Sequence, residues 1–303
     1  MLKEALSFQP PPRLDSLFYN FLLYRGLSLG KKIFVGNAMF SSCPASGENI
    51  AVKNTTVKLL DNANLVCTRD PFSLQYIRGS GFAGNGFFLP DALFSWSLDQ
   101  SLSDCDFPRS IREIEPFPHE QFDPALWFDL DKPYVCVSGS SRAAWDQINA
   151  FHAYVNLVKA IKKSGLRVLL VPTCAGDRFL NNVSKETGTS LLPVTTSIRA
   201  ATRVLMRSMA FVSGRFHPSI LASLGGVPLI LMGSNSHKTS SLQLVLGNDD
   251  PIEYNHTPSE NDILKILADL KGLQRWNYEA RKSMVLKLGN EALNVPRLIE
   301  QFI

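Results

Sequence analysis

Short, almost continuous apolar runs alternate with segments of helical periodicity along the second half of the chain. The predicted strands there are PYVCVSGS (133–140), LRVLLVPT (166–173), SLLPV (190–194), AFVSG (210–214) and VPLILMG (227–233). Strands that are apolar on both faces and alternate with helices are typical of a parallel sheet covered on both sides. The pattern therefore predicts an α/β, Rossmann-like fold for this half.

The first half of the chain shows the same alternation over a shorter length. The predicted strands lie in KKIFVGNAMF (31–40), where the strand runs into a Gly-Asn turn, in NLVCTRD (64–70), and in GFFLPDALFSW (86–96), where a turn follows the strand. Helices are predicted over 54–63 and 71–81. A stretch rich in proline and acidic residues indicates a linker, and the tail from residue 259 has helical spacing. We predict an N-terminal α/β domain over 1–125, a C-terminal Rossmann-like domain with a helical tail over 126–303, and a cleft between them.

The charge and the cysteine content of the chain indicate which ligands and sites to expect. The chain has 303 residues and a net charge of +4, which fits an anionic ligand. The basic residues are scattered, so we predict no nucleic-acid partner. Five widely spaced cysteines without a C-x-x-C pair predict reduced thiols in a cytoplasmic protein, and no metal site. No secretory signal is evident, and the apolar run LFYNFLLY (17–24) is too short to cross a bilayer.

The first candidate site is the segment SGRFHP, which follows the predicted strand AFVSG. Ligands of doubly wound sheets bind beyond the carboxyl ends of the strands, where Arg215 and His217 are expected. Pro218 suits the first turn of a helix, whose N-terminus favours an anion. Arg215 offers a planar fork for an oxyanion, and His217 can move a proton. The alternative is that Arg215 pairs with a surface carboxylate and that His217 caps the helix.

Two further segments follow predicted strands of the second half. His237 and Lys238 lie in GSNSHKTSS, after the next apolar strand, and are predicted to lie close to Arg215 if the two strands are neighbours. Ser140 and Arg142 lie in VSGSSRAAWD, where a turn of small hydroxyl residues can bind an oxyanion through its backbone. The alternatives are that Lys238 is an ordinary surface lysine and that the serine-rich turn caps the helix that follows it.

A fourth segment, CTRDPFS, ends a strand of the first half. Arg69 could supply a second cation across the cleft, while Asp70 could equally cap the helix that Pro71 opens. Asp91, in LPDALF, is either a turn residue or a group that orients an acceptor hydroxyl.

These segments resemble, in order, the motifs of the polysaccharide pyruvyl transferase family. The resemblance covers roughly residues 30 to 250. Its motif positions are Arg69, Asp70, Ser73, Ser213, Arg215, Phe216, His217, Ala222, Gly226, Pro228 and Lys238. It implies two Rossmann-like domains in a GT-B-like arrangement, with the first domain on the acceptor side and the second on the donor side.

The resemblance also implies a reaction. Pyruvate would pass from phosphoenolpyruvate to sugar hydroxyls as a ketal, on a polysaccharide or its lipid-linked precursor. Substrate binding is then expected from a set of polar residues, and no cofactor or metal is required. The set is Arg69, Ser140, Arg142, Ser213, Arg215, His217 and Lys238. For the chemistry itself we predict Arg215 and His217, with His217 as the acid and Asp91, or less favourably Asp177, as the base.

One departure keeps other functions open. The Gly-rich start with Asn-x-Gly-Asp that is usual in the family is missing, so the N-terminal domain is predicted to be shortened. A GT-B-type glycosyltransferase using a nucleotide-sugar, and a catalytically degenerate binding module of the same fold, are the alternatives. An oligomer and a peripheral contact with the inner face of the membrane are both compatible with the sequence.

Overall fold

The computed structural model describes residues 6–10, 12–43, 47–102, 108–114, 128–273 and 276–303. Within them the strands are β1 (Leu6–Ser7), β2 (Phe34–Ala38), β3 (Phe40–Ser41), β4 (Leu65–Thr68), β5 (Gly86–Phe88), β6 (Val135–Ser140), β7 (Val168–Leu170), β8 (Ser190–Leu191), β9 (Ala210–Gly214) and β10 (Leu229–Leu231). The α-helices are α1 (Leu14–Ser28), α2 (Ile50–Asp61), α3 (Pro71–Gly79), α4 (Ile111–Ile114), α5 (Gln147–Lys163), α6 (Phe179–Thr187), α7 (Ile198–Met206), α8 (Phe216–Ser223), α9 (Lys238–Val245), α10 (Glu260–Gly272), α11 (Tyr278–Ala292) and α12 (Val295–Glu300).

The chain forms two compact units. The first contains the described residues of Met1–Ser95, Asn235–Pro251 and Lys287–Ile303, and the second those of Trp96–Ser234 and Ile252–Leu286. The predicted domain boundary between residues 125 and 126 lies outside the described residues. Two segments of the predicted second domain, Asn235–Pro251 and Lys287–Ile303, belong to the first unit. Contacts with residues far away in the sequence place them there, and hydrophobic spacing does not reveal such contacts.

The second unit holds a five-stranded parallel sheet in the order β10-β9-β6-β7-β8. The chain runs outward from β6 through β7 to β8 and then crosses to β9 on the other side of β6, as in a Rossmann-type half. The central strands are buried throughout, and Tyr154 of α5 is fully buried in the core beneath them. The predicted strands of the second half are confirmed.

The first unit is built on a three-stranded parallel sheet in the order β2-β4-β5, beside a separate parallel pair of β1 and β3. Asn49 and Asp70 cap α2 and α3 with their side chains, and Pro71 occupies the first turn of α3. The strand and turn predicted over 86–96 are confirmed, with the strand ending at Phe88. A 3₁₀ helix, Ala92–Leu98, follows, because Asp91 accepts a hydrogen bond from the Leu93 N–H and starts a turn.

The predicted helical tail is confirmed as α10, α11 and α12. Ser259 and Asp262 form a capping box at the start of α10. Across the described residues, no helix combines the length and the apolarity that crossing a bilayer requires. Cys67, Cys136 and Cys174 are free thiols, and Cys105 lies outside the described part of the chain.

Candidate functional site

Arg215 and its neighbours lie where the strand order of the second unit reverses. β6 and β9 are adjacent and parallel, and Arg215 follows the last residue of β9 in an extended conformation. The hydroxyl of Ser213, which is fully buried, donates to the Gly139 carbonyl at 3.2 Å and accepts from the Arg215 N–H at 3.0 Å. The backbone of Arg215 is therefore fixed at the place where such sheets bind ligands.

A buried carboxylate holds the Arg215 guanidinium. Nε and Nη2 of Arg215 donate to Oδ1 of Asp177 at 3.1 and 2.5 Å. The other oxygen of Asp177 accepts from the N–H and the hydroxyl of Thr173, each at 2.9 Å. Asp177 is fully buried and the Arg215 side chain is 13% exposed. Because four hydrogen bonds engage both oxygens of Asp177, this carboxylate is built to orient Arg215 rather than to remove a proton.

The other polar residues predicted at this edge have different surroundings. Nη1 of Arg215 lies 3.4 Å from the Ser141 hydroxyl. Ser140 is buried, and its hydroxyl oxygen accepts a hydrogen bond from the Ala143 N–H. Ser140 therefore caps a turn, which was the alternative to oxyanion binding. Arg142 is half-buried. Burial and the positive charge of Arg142 lower the pKa of His256, against the opposite effect of the Asp146 carboxylate.

His217 is exposed in the first turn of α8. Its ring makes an edge contact with the ring of Phe216, which is buried. The second unit thus presents one oriented cation and one accessible imidazole two residues apart. That pair can bind an oxyanion and exchange a proton with it.

The residues predicted in the first unit form a second cluster. Arg69 and Asp91 are both buried, with Nη1 of Arg69 3.5 Å from Oδ2 of Asp91. Nη2 of Arg69 also lies 3.2 Å from the Met39 sulfur. Asp91 is therefore an ion-pair partner and a turn residue at once, and its location among buried groups does not favour removal of a proton from a substrate.

Asp70 is the centre of this second cluster. Its carboxylate accepts from the Ser73 N–H at 2.8 Å, from the Ser73 hydroxyl at 2.6 Å and from the Ser241 hydroxyl at 3.0 Å. Nε2 of His237 lies 3.1 Å from Oδ1. Burial by itself raises the pKa of Asp70, but the hydrogen bond and charge of His237 and the hydrogen bonds from Ser73 outweigh it and lower the pKa. The cap predicted for Asp70 is confirmed, and the same carboxylate also fastens α9 to α3.

Lys238 is the first residue of α9 and is buried. It belongs to the first unit, whereas Arg215 and His217 belong to the second. The structure therefore describes two clusters, one in each unit. The convergence of Lys238 with Arg215 stays a prediction.

Comparison with known sequences gives the family. The sequence model of the polysaccharide pyruvyl transferases matches residues 7–236. The chain belongs to the polysaccharide pyruvyl transferase family. The match includes Arg69, Arg215 and His217 and ends two residues before Lys238. No curated protein sequence matches the chain.

Solved structures similar to this pyruvyl transferase family member confirm its fold class. A UDP-GlcNAc 2-epimerase from Neisseria meningitidis bound to UDP-GlcNAc has a TM-score of 0.61 at 9% identity, over 97% of this chain and 83% of its own. A UDP-N-acetylglucosamine 2-epimerase from Rickettsia bellii scores 0.57 at 14% identity, over 93% and 70%. A UDP-forming trehalose-phosphate synthase from Burkholderia xenovorans scores 0.55 at 9% identity, over 93% and 71%. At these identities the likeness concerns the fold, which is GT-B-like.

Two contacts of this pyruvyl transferase family member were missed by sequence reasoning. The pairing of Asp177 with Arg215 joins β7 to β9 across β6, and the position of Asp177 after a predicted strand was the one available signal for it. The pairing of His237 with Asp70 spans 167 positions and has no local signal.

Gly139→Ala tests how tightly Asp177 is seated. A Cβ at Gly139 would overlap the Asp177 carboxylate, so we expect the substitution to lower the free energy of unfolding by about 1–3 kcal/mol. Denaturant unfolding measures this. Gly272→Ala is the matched control, because a Cβ there meets no atom within 4 Å. Equal stability of the two variants would contradict the packing described.

Asp70→Asn tests the link between α3 and α9. The folded-state pKa of Asp70 lies below its ordinary value of 3.8, so the carboxylate stabilises the fold above that pH and loses this effect as the pH falls through the folded-state pKa. We expect Asp70→Asn to lower the free energy of unfolding by about 1–3 kcal/mol at neutral pH and by less in acid. Urea unfolding at pH values on both sides of 3.8 measures the difference. A difference that stays constant with pH would show that the charge of Asp70 is not the cause.

Proposed function

We propose that the chain transfers pyruvate from phosphoenolpyruvate to two hydroxyls of a saccharide, forming a ketal and releasing phosphate. The observation that carries this is Arg215, oriented by the buried Asp177 with His217 two residues on, inside the family match. Phosphoenolpyruvate has a phosphate and a carboxylate, and an arginine fork binds either group through paired hydrogen bonds.

The chemistry needs one proton donor and one proton acceptor. A proton is added to the methylene carbon of phosphoenolpyruvate while a sugar hydroxyl, losing its own proton, bonds to the neighbouring carbon. A second hydroxyl then bonds to the same carbon and displaces the phosphate, which leaves with the electrons of its C–O bond. The proton of this second hydroxyl passes to the departing phosphate. We assign the donated proton to His217, whose imidazole is exposed two residues from Arg215 and can serve as a general acid.

We assign removal of the acceptor proton to His237 instead of Asp91. Asp91 is buried beside Arg69, with 4% of its side chain exposed, whereas the His237 side chain is 23% exposed. When Nε2–H of His237 donates to Asp70, Nδ1 carries the lone pair that can accept a proton. The imidazolium formed is then stabilised by the Asp70 carboxylate, which is how a carboxylate supports a histidine base.

The other predicted residues keep roles in binding. We propose that Arg69 and Lys238 of the first unit add positive charge for the donor, and that Ser213 and Ser140 shape the backbone that holds Arg215. Arg142 would supply a further cation on the turn after β6. No cofactor or metal is part of this scheme.

Mass spectrometry of the reaction tests the proposal. The protein is incubated with phosphoenolpyruvate and a panel of simple glycosides. The expected product carries one pyruvate, with loss of one water, and phosphate appears in equal amount. Glycosides that stay unmodified across the panel, with no phosphate released, would contradict transfer.

The nucleotide-sugar alternative gains support from the epimerase bound to UDP-GlcNAc, which shares the fold at 9% identity. Thermal-shift titration separates the alternatives, because a ligand raises the unfolding temperature only if it binds the folded state. Stabilisation by phosphoenolpyruvate is expected. Stabilisation by UDP alone would favour a glycosyltransferase, and stabilisation by neither ligand would favour a degenerate binding module.

A further inference from the structure

Helix α1 of the first unit presents its apolar side outward. Six of its large apolar residues are exposed: Leu14 (83%), Leu17 (43%), Phe18 (57%), Phe21 (57%), Leu22 (45%) and Tyr24 (62%). Their spacing of three and four residues places them along one side of the helix. We call these six residues the α1 apolar face. A helix of 15 residues is about 22 Å long, so the face is an extended strip.

The opposite side of α1 attaches the helix to the first unit. Ser16, Asn20 and Leu23 are buried there, and the Thr56 hydroxyl of α2 donates to the Asn20 side-chain oxygen at 2.9 Å. Helix α1 thus buries two polar side chains beside Leu23, while six large apolar side chains face away from the protein. An exposed apolar surface of this size indicates a site that contacts a membrane or another protein.

Positive charge accompanies the strip. Arg25, Lys31 and Lys32 are exposed at the carboxyl end of α1, and the segment 13–32 contains four basic residues and one acidic residue, Asp15. Aromatic and leucine side chains on one face, with basic residues beside them, are the features of helices that lie in the surface of anionic membranes. Two copies of the chain meeting through this face would instead bring the same excess of positive charge together.

We propose that the α1 apolar face lies flat in the surface of an anionic membrane, with Arg25 and Lys31 at the lipid headgroups. Vesicle binding needs neither donor nor acceptor, so this inference stands independently of the transfer reaction. Where the acceptor is a lipid-linked saccharide, the same surface would bring the protein to it.

Vesicle flotation tests this inference. The full chain is mixed with vesicles of phosphatidylcholine containing phosphatidylglycerol, or of phosphatidylcholine alone, at low and high salt. We expect binding to the anionic vesicles that weakens with salt, since headgroup attraction is screened. Absence of binding, or equal binding to neutral vesicles, would overturn the proposal.

Three variants locate the contact. Phe18→Ser combined with Phe21→Ser is expected to weaken binding at least about tenfold, since each buried phenyl ring contributes a large apolar area. Arg25→Gln combined with Lys31→Gln is expected to remove most of the salt dependence. Leu264→Ser, at a residue 66% exposed on α10, is the matched control and should bind as the wild type does.

Sedimentation of the same proteins tests the alternative that a second copy of the chain covers the α1 apolar face. If the wild type is a dimer that Phe18→Ser with Phe21→Ser turns into a monomer, the face is a contact between copies and the membrane proposal is wrong. Thermal unfolding of each variant confirms that it is folded. Retained vesicle binding by a folded Phe18→Ser, Phe21→Ser variant would also overturn the proposal.

Discussion

Arg215→Ala is expected to reduce transfer from phosphoenolpyruvate by roughly 10²–10⁴-fold, because it removes two or more charge-assisted hydrogen bonds to the donor at about 1.5–3 kcal/mol each. The substitution also leaves the buried Asp177 carboxylate without its cation. Breaking a buried pair from one side costs about 3–5 kcal/mol of stability. A loss of activity in this variant alone would therefore mix two causes.

Combining Arg215→Ala with Asp177→Ala separates these causes. The double variant has no uncompensated buried charge, so its free energy of unfolding should recover much of the loss seen in Arg215→Ala. Transfer should stay as low as in the single variant, because the guanidinium is still missing. Steady-state rates and urea unfolding of the wild type, both single variants and the double variant provide the measurement. Recovery of transfer in the double variant would show that Arg215 acts on the fold and not on the donor.

The location of this cluster could be predicted from sequence, and its internal pairing could not. Apolar runs define the strands, and residues after parallel strands meet at one edge, which placed Arg215 at the correct point of the sheet. Which carboxylate reaches Arg215 depends on the order of the strands and on the turn after β7. The space at Gly139 that Asp177 fills depends on the same turn. Those are properties of the assembled unit and leave no periodic signal.

The first unit was harder to predict for two physical reasons. Its α9 belongs to it through hydrogen bonds between Asp70 and residues more than a hundred positions away, so the chain enters the unit a second time at Asn235. Its α1 buries Ser16 and Asn20 and exposes phenylalanines. The rule that apolar residues lie inside therefore points to the wrong face of the helix. The hydrophobic pattern of residues 14–28 accordingly predicts no helix.

The proposed acid and the proposed base are histidines in different surroundings. His217 is exposed on a helix that begins beside an anchored arginine, whereas His237 is half-buried against Asp70. An acid that meets a small donor and a base that a carboxylate orients are different tasks, and the two surroundings match them. The division also predicts that substitution of His237 lowers stability, because His237 is part of a contact that holds α9 and α3 together.

His217→Ala is expected to lower kcat by roughly 10²–10⁴-fold, the range contributed by a positioned general acid. The side chain is exposed, so the free energy of unfolding should change by less than about 0.5 kcal/mol. His152→Ala is the matched control, since His152 is also exposed on a helix of the second unit, and it should keep wild-type rates. The decisive measurement separates kcat from KM for phosphoenolpyruvate. Loss of the acid should lower kcat, whereas loss of a binding contact alone would raise KM and leave kcat unchanged. A wild-type kcat in His217→Ala would assign the acid to another group.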